Sequence, residues 1–301
     1  MKKTVPFLWF DSSTLKHLRF TFSFFLMPVF MFALSQADTV NWPKTILAFV
    51  ILHLFVFPSS NGYNSYQDRD ETPIGGLKNP PKVSENLFYA TLLFDVLAIL
   101  SGFFISIYFS VFVSVFILMS RAYSYRKVRL KKFPIIGFLT VFIFQGAFVY
   151  LMASAAIAPF HPEIYFTTNN LICLTISSLF IGSIYPLTQI YQHEADKNDG
   201  VISISYKLGY IGTFIFSGVL FSVAVLFLIY YFENRNQQAA IVLFLILMIP
   251  VVSKLSVWFN RVRKDVAEAN FENTMTMNLL TSSCMNLYFL VLTINNYYTW
   301  F

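Results

Sequence analysis

Long runs of apolar residues, each close to 20 positions, alternate with short polar connections along the whole chain. That length matches the hydrocarbon core of a bilayer when wound as a helix. The pattern predicts nine spans, at 18–36, 44–60, 84–104, 106–121, 134–154, 168–190, 207–231, 239–258 and 274–297. Spans three and four run together near Gly102. The expected fold is all-α, one polytopic membrane domain over residues 1–301 with about nine transmembrane helices around a central cavity.

Composition agrees. Hydrophobic residues make up 56%, charged residues 12%, and mean hydropathy is +0.62; a soluble protein carries roughly a quarter of its residues charged. The 36 Phe and 17 Tyr read first as lipid-facing, interhelical and interfacial side chains. The alternative is that some line a cavity holding a cation or a polyene chain. Cys173 and Cys284 stand in apolar stretches without a CxxC or Cys/His cluster, so neither a disulfide scaffold nor a zinc site is expected.

The net charge of +6 does not indicate nucleic acid as a partner, because the basic residues fall in short connections between spans. With the N-terminus inside, all but Lys44 and Arg235 of the 21 Lys and Arg fall on the cytoplasmic side. Lys2, Lys3, Lys16 and Arg19 lead that group, and an odd number of spans puts the C-terminus on the opposite side. Ala33 and Ser35 could mimic a signal-peptide cleavage site, but a stretch of spanning length followed by more spans favours an uncleaved helix.

Two inside connections turn acidic directly after an apolar span. The first runs from Asn61 through Asn64, Asp68, Arg69, Asp70 and Glu71 to Gly75-Gly76; the second runs from Tyr191-Gln192 through Glu194, Asp196 and Asp199 to Gly200. Asn64, Asp68 and Glu71 are spaced four and three apart, which places them on one helix face; Gln192, Asp196 and Asp199 repeat the spacing. Carboxylates gathered at a helix C-terminus repel one another and oppose the helix dipole unless a cation joins them. Oxygen ligands of this kind, completed by phosphate, suit Mg²⁺. The plain alternative is a pair of solvated acidic loops neutralised by Arg69, Lys78 and Lys197. Between them in sequence, Tyr123, Tyr125, Arg126, Lys127, Arg129, Lys131 and Lys132 supply phenols and cations. These read either as topology signals or as partners for a diphosphate. Within the spans, His53, Asp95 and Gln145 are isolated polar residues. Asp95 is expected to pair with another helix, with a proton relay as the alternative.

At these two segments the chain resembles the UbiA superfamily of intramembrane prenyltransferases. Asn64 and Asp68 match the start of the family's first signature, and Tyr191, Gln192, Glu194, Asp196 and Gly200 match its second. Arg129-Leu130-Lys131-Lys132 is similar to the family's basic loop between spans four and five. The chain departs where Thr72 stands in place of the later acid of the first motif, with Asp70 and Glu71 nearby, and where Asp199 precedes Gly200.

The resemblance implies Mg²⁺ held by Asp68 and Asp196, with Asn64, Glu71 and Asp199 beside them. Arg69, Arg129 and Lys131 would face the leaving diphosphate of an isoprenyl donor, and Tyr125, Tyr191 and Gln192 complete the expected site. The second substrate would be a small lipophilic acceptor, aromatic or a quinone precursor, with membrane lipid around the donor tail. The competing readings are a membrane transporter or channel, and a family member without catalysis that binds lipid.

Overall fold

The computed structural model describes residues 10–298; Lys2, Lys3 and the final Thr299-Trp300-Phe301 lie outside the described residues. Backbone N–H and C=O groups cannot stay unpaired in hydrocarbon, so each apolar run closes its own hydrogen bonds as a helix. Eight helical segments among the described residues are long and apolar enough to cross a membrane. They are α1 (Ser12–Ser35), α2 (Trp42–Asp68), α4 (Ile107–Ser124), α5 (Pro134–Ile157), α6 (Thr168–Asn198), α7 (Ile204–Glu233), α8 (Gln238–Lys264) and α9 (Phe271–Asn296). The expected third span is α3 (Asn86–Gly102), apolar but shorter than the rest. The protein is a multi-pass integral membrane protein, and the predicted count of about nine resolves into eight long helices and this shorter one.

Local chemistry fixes the helix ends. Asp11, Asn41, Ser106 and Ser203 each accept a hydrogen bond from a backbone N–H three residues on, the N-cap interaction that satisfies an otherwise orphaned donor. Ser106 thereby separates α3 from α4, the two apolar runs that touch near Gly102. Pro134 starts α5, where its missing N–H costs nothing.

Each helix packs on the next, and α9 returns to α1 to close a ring. Small residues allow the closest approach. At Gly146 on α5, an added Cβ would lie 2.4 Å from Ser178 Cα on α6, so only glycine fits there. Towards one end the ring is filled by aromatics: Phe32 stacks on Phe289 at 4.8 Å and tilts against Tyr150 at 5.2 Å. Towards the other end α2 and α6 carry the two acidic segments, and a cavity opens between the helices.

Three helices leave regular geometry on the way to that cavity. Residues Ile51–Val56 of α2 and Phe142–Ala147 of α5 form π-helical turns. Pro186 in α6 removes a backbone donor, and the helix tightens into a 3₁₀ turn at Ile190–Gln192 before continuing over His193–Asn198. The turns of α2 and α6 lie in the two helices that carry the acidic segments.

Candidate active site

The first acidic segment is the C-terminal end of α2. The helix stops at Asp68 because Arg69 adopts a left-handed conformation (φ 56) and donates its N–H to the Ser65 carbonyl at 2.9 Å. The helical register that would place Glu71 beside Asn64 and Asp68 therefore ends three residues too soon. Glu71 is exposed on the following loop and does not line the cavity. Asp70 turns in instead, half-buried on the cavity wall. The same left-handed turn sends Arg69 outward to an exposed ion pair with Glu85 at 2.7 Å.

The loop then folds back across the mouth. Ile74 and Leu77 bridge around Gly75-Gly76, with Gly76 at φ 80, a conformation a side chain disfavours. Gly76 donates to Met275 Sδ on α9 at 3.3 Å, and Arg19 on α1 binds the carbonyls of Gly75 (3.1 Å) and Asn61 (2.9 Å). Arg19 lines the cavity, a role the positive-inside pattern concealed.

The second acidic segment divides. Tyr191, Gln192 and Asp196 line the same cavity as Asn64, Asp68 and Asp70. Asp199 lies just past the end of the short helix and faces the basic loop. Arg129, itself buried, pairs with Asp68 at 3.0 Å and with Asp199, so one guanidinium ties both acidic segments together. Lys131 pairs with the other oxygen of Asp68 and lines the cavity. Arg126 binds the carbonyls of Gln67 (2.6 Å) and Asp68 (3.2 Å) and approaches Asp199 at 3.4 Å. Tyr125 caps α4, is exposed, and does not line the cavity. Its neighbour Tyr123 does, with Tyr185.

The electrostatics follow from this geometry. Burial, with Asp68 alongside, pushes the Asp70 carboxyl up to about 6 against the pull of Lys131 and Arg19. Burial opposes ionisation of Asp199 too, but hydrogen bonding and charge from Arg129 and Arg126 hold it below the usual carboxylate range. In the same way Asp199 and Asp68 overcome burial and raise Arg129.

The cavity has a volume of about 230 Å³. Below the charged mouth come neutral polar side chains, among them Asn61, Ser120, Tyr185 and Gln189, then an apolar floor of Phe116, Val141, Phe144 and Ile181. Gln145, one of the isolated polar residues, reaches this floor. A second, smaller crevice of about 60 Å³ shares Phe25, Ile181, Ile184 and Ser282 with it and runs between α1, α6 and α9. The other isolated polar residues stand apart. Asp95 is paired with Arg121 and Ser59, as expected of a carboxylate inside a bundle. His53 stacks on Phe49 at 4.1 Å.

Among the described residues no three acidic or His/Cys side chains gather into a metal cage. The donor set nonetheless fits Mg²⁺. The carboxylates of Asp70 and Asp196 line the cavity without a hydrogen-bond or ion-pair partner among the described residues, and Asp68 and Asn64 join them. Mg²⁺ commonly takes one or two carboxylates and completes its shell with water and substrate phosphate.

Fold and site together define a membrane-embedded helical bundle with a charged pocket at one end and an apolar interior. A sequence model of the UbiA prenyltransferase family matches residues 25–280, and the chain belongs to that family. No curated protein matches the sequence. Solved structures share the fold. A UbiA homologue from Archaeoglobus fulgidus bound to GPP and Mg²⁺ superposes with a TM-score of 0.67 at 14% identity, over 94% of this chain and 100% of that chain. The same homologue bound to DMAPP and Mg²⁺ gives 0.66 at 14% identity, over 94% and 99%. A digeranylgeranylglyceryl phosphate synthase gives 0.56 at 20% identity, over 94% and 97%.

Proposed function

We propose that this protein transfers a prenyl group from an isoprenyl diphosphate to a small lipophilic acceptor within the membrane. The observation that carries this reading is the convergence of Asp68 and Asp70 from the α2 segment, Asp196 from the α6 segment and Lys131 on one cavity that continues into an apolar crevice. An amphiphile with a polyanionic head and a hydrocarbon tail is the complement of that surface. The A. fulgidus homologue binds GPP and DMAPP with Mg²⁺, which supports the same donor class here.

Asp68, Asp70, Asp196 and Asn64 would hold Mg²⁺, which when bound supplies positive charge to the diphosphate oxygens. Lys131, and Arg129 once released from Asp68, neutralise charge on the leaving group. The bond between donor C1 and the bridging oxygen breaks and its electron pair leaves with the diphosphate. The acceptor supplies the pair for the new bond to C1 and gives up one proton. The apolar floor excludes water from the electron-deficient carbon, and Phe116 and Phe144 offer aromatic surface beside it. The tail extends into the crevice between α1 and α9. The Lys/Arg-rich end bearing the site faces the cytoplasm, following the charge bias of the connections.

The test is a magnesium-dependent transfer assay with labelled prenyl diphosphates of several lengths and a panel of acceptors. Wild type is expected to transfer, while Asp68→Ala and Asp196→Ala are inactive. Undiminished magnesium-dependent turnover in a variant lacking both acids would refute the reading.

A further inference from the structure

The neutral polar layer beneath the charged mouth contains a hydrogen-bond pattern that the donor diphosphate does not use. Gln189 Nε2 donates to Tyr185 Oη at 2.8 Å, and the Tyr185 and Tyr123 hydroxyls lie 2.5 Å apart. Two phenols joined by one hydrogen bond carry two protons, and only one lies between them. The other is left to donate to whatever occupies the cavity, whichever phenol it belongs to.

Acceptors stand in the same layer. Gln189 and Asn278 line the cavity and are 9% and 3% exposed. Gln189 Oε1 and Asn278 Oδ1 are buried with no hydrogen-bond partner among the described residues. Orphaned buried polar atoms are costly and point to a missing partner. A spare phenolic donor together with orphan amide acceptors is the complement of a hydroxyl group, which accepts and donates at once.

Charge narrows the class further. Among the described cavity-lining residues three carboxylates (Asp68, Asp70 and Asp196) face two cations, Arg19 and Lys131. Lys131 is engaged by Asp68, and Arg19 by two carbonyls at the mouth. The neutral layer has no cation to spare for a second anion. We infer that the acceptor is a neutral, hydroxyl-bearing molecule of the phenol or alcohol class, held by Tyr123, Tyr185, Gln189 and Asn278, and that carboxylate and phosphate acceptors are selected against. This rests on the prenyltransferase reading and specifies its second substrate.

The test is calorimetric binding to the purified full chain in detergent, with magnesium and inorganic pyrophosphate present. The probes are 4-hexylphenol, 4-hexylbenzoate and hexylbenzene, each corrected for partition into protein-free micelles. Hexylphenol is expected to bind about tenfold or more tightly than either analogue, since each analogue leaves buried polar atoms unpaired. Gln189→Leu and Asn278→Leu should each erase most of that preference while leaving magnesium pyrophosphate binding unchanged. The double variant Tyr123→Phe/Tyr185→Phe, which removes both phenolic donors, should do the same. Equal or tighter binding of hexylbenzoate, or a preference that survives in all three variants, overturns the inference while the donor site stands. Failure of magnesium pyrophosphate to bind the wild type overturns the prenyltransferase reading and the acceptor role with it.

Discussion

Arg121 and Asp95 form an ion pair inside the bundle, linking α4 to α3 and, through Ser59, to α2, the helix that ends in Asp68. Their side chains are only 19% and 9% exposed. Arg121 Nε lies 3.0 Å from Asp95, its Nη2 lies 2.9 Å from Ser59 Oγ, and its guanidinium carbon lies 3.9 Å from the Tyr63 ring centroid. Ser59 in turn donates to Asp95 at 2.6 Å. Arg121→Met strands a carboxylate in low dielectric, which costs about 3–5 kcal/mol, and removal of the cation–π contact adds about 1 kcal/mol. Asp95→Leu strands the guanidinium at a similar cost. The double variant Arg121→Met/Asp95→Leu strands neither charge, and the Ser59 hydroxyl, released from Asp95, has the Thr91 carbonyl at 2.9 Å to donate to. It should therefore lie within about 2 kcal/mol of wild type, a coupling of several kcal/mol. The assay is SDS-titrated unfolding in mixed micelles, followed by far-ultraviolet circular dichroism and by thiol labelling of Cys173, which is 1% exposed. A double variant as unstable as the sum of the two singles would show that the charges are not each other's compensation.

Asp70→Asn is expected to weaken magnesium pyrophosphate binding by about tenfold or more, on the scale of losing a polar group that supports a metal, whereas Glu71→Gln stays within about twofold; calorimetry on the two variants decides between the cavity-facing acid and the exposed one. Gly146→Ala should cost at least about 2 kcal/mol by overpacking, because the new Cβ meets the α6 backbone rather than a movable side chain; the unfolding titration reads this directly. Asp11 caps α1 and accepts hydrogen bonds from Ser84 (2.7 Å) and Asn86 (3.0 Å), and although burial opposes it, hydrogen bonds from Thr14, Ser84 and Asn86 lower its carboxyl to about 2. Its folded value lies below the unfolded one, so its stabilisation is complete above about pH 4 and disappears as pH falls towards 2. The difference in melting temperature between wild type and Asp11→Asn should be present at pH 6 and shrink on acidification across that window; a gap that does not change with pH would refute the assignment.

The spans were legible because bilayer thickness writes itself into the chain as apolar length, and Asp95 was legible because a carboxylate among Phe94, Val96 and Leu97 must find a partner. Asn64, Asp68, Asp196, Gln192 and Tyr191 stood out as oxygen-rich chemistry at the ends of apolar helices. The geometry they share was harder to read. Extending the helical period past Asp68 favours Glu71, but a single left-handed residue at Arg69 rotates the chain so that Asp70 faces inward. Tyr123 and Tyr125 differ in role because α4 stops between them, at Ser124. Arg19 and Asn278 were hidden for opposite reasons. One looked like an ordinary topology charge, and the other is a single amide far from either acidic segment, brought to the cavity only when α9 closes the ring on α1.

Three arginines at the charged end share a backbone feature that connects strain to the site. Arg19, Arg69 and Arg129 all adopt positive φ (47, 56 and 46), where a side chain costs about 1–2 kcal/mol relative to the right-handed region. Glycine would avoid that cost, so the side chains must return something. Arg19 does so by binding the mouth loop at Gly75 and Asn61, and Arg129 by joining Asp68 to Asp199. Arg69, whose partner Glu85 is largely exposed, returns least through its charge. What the position supplies is a backbone turn, which ends α2 at Asp68 and swings Asp70 into the cavity without needing the side chain. Strain of this kind persists only where surrounding contacts over-determine it. Here the contacts that do so are the ones that hold both acidic segments and the basic loop around a single cavity.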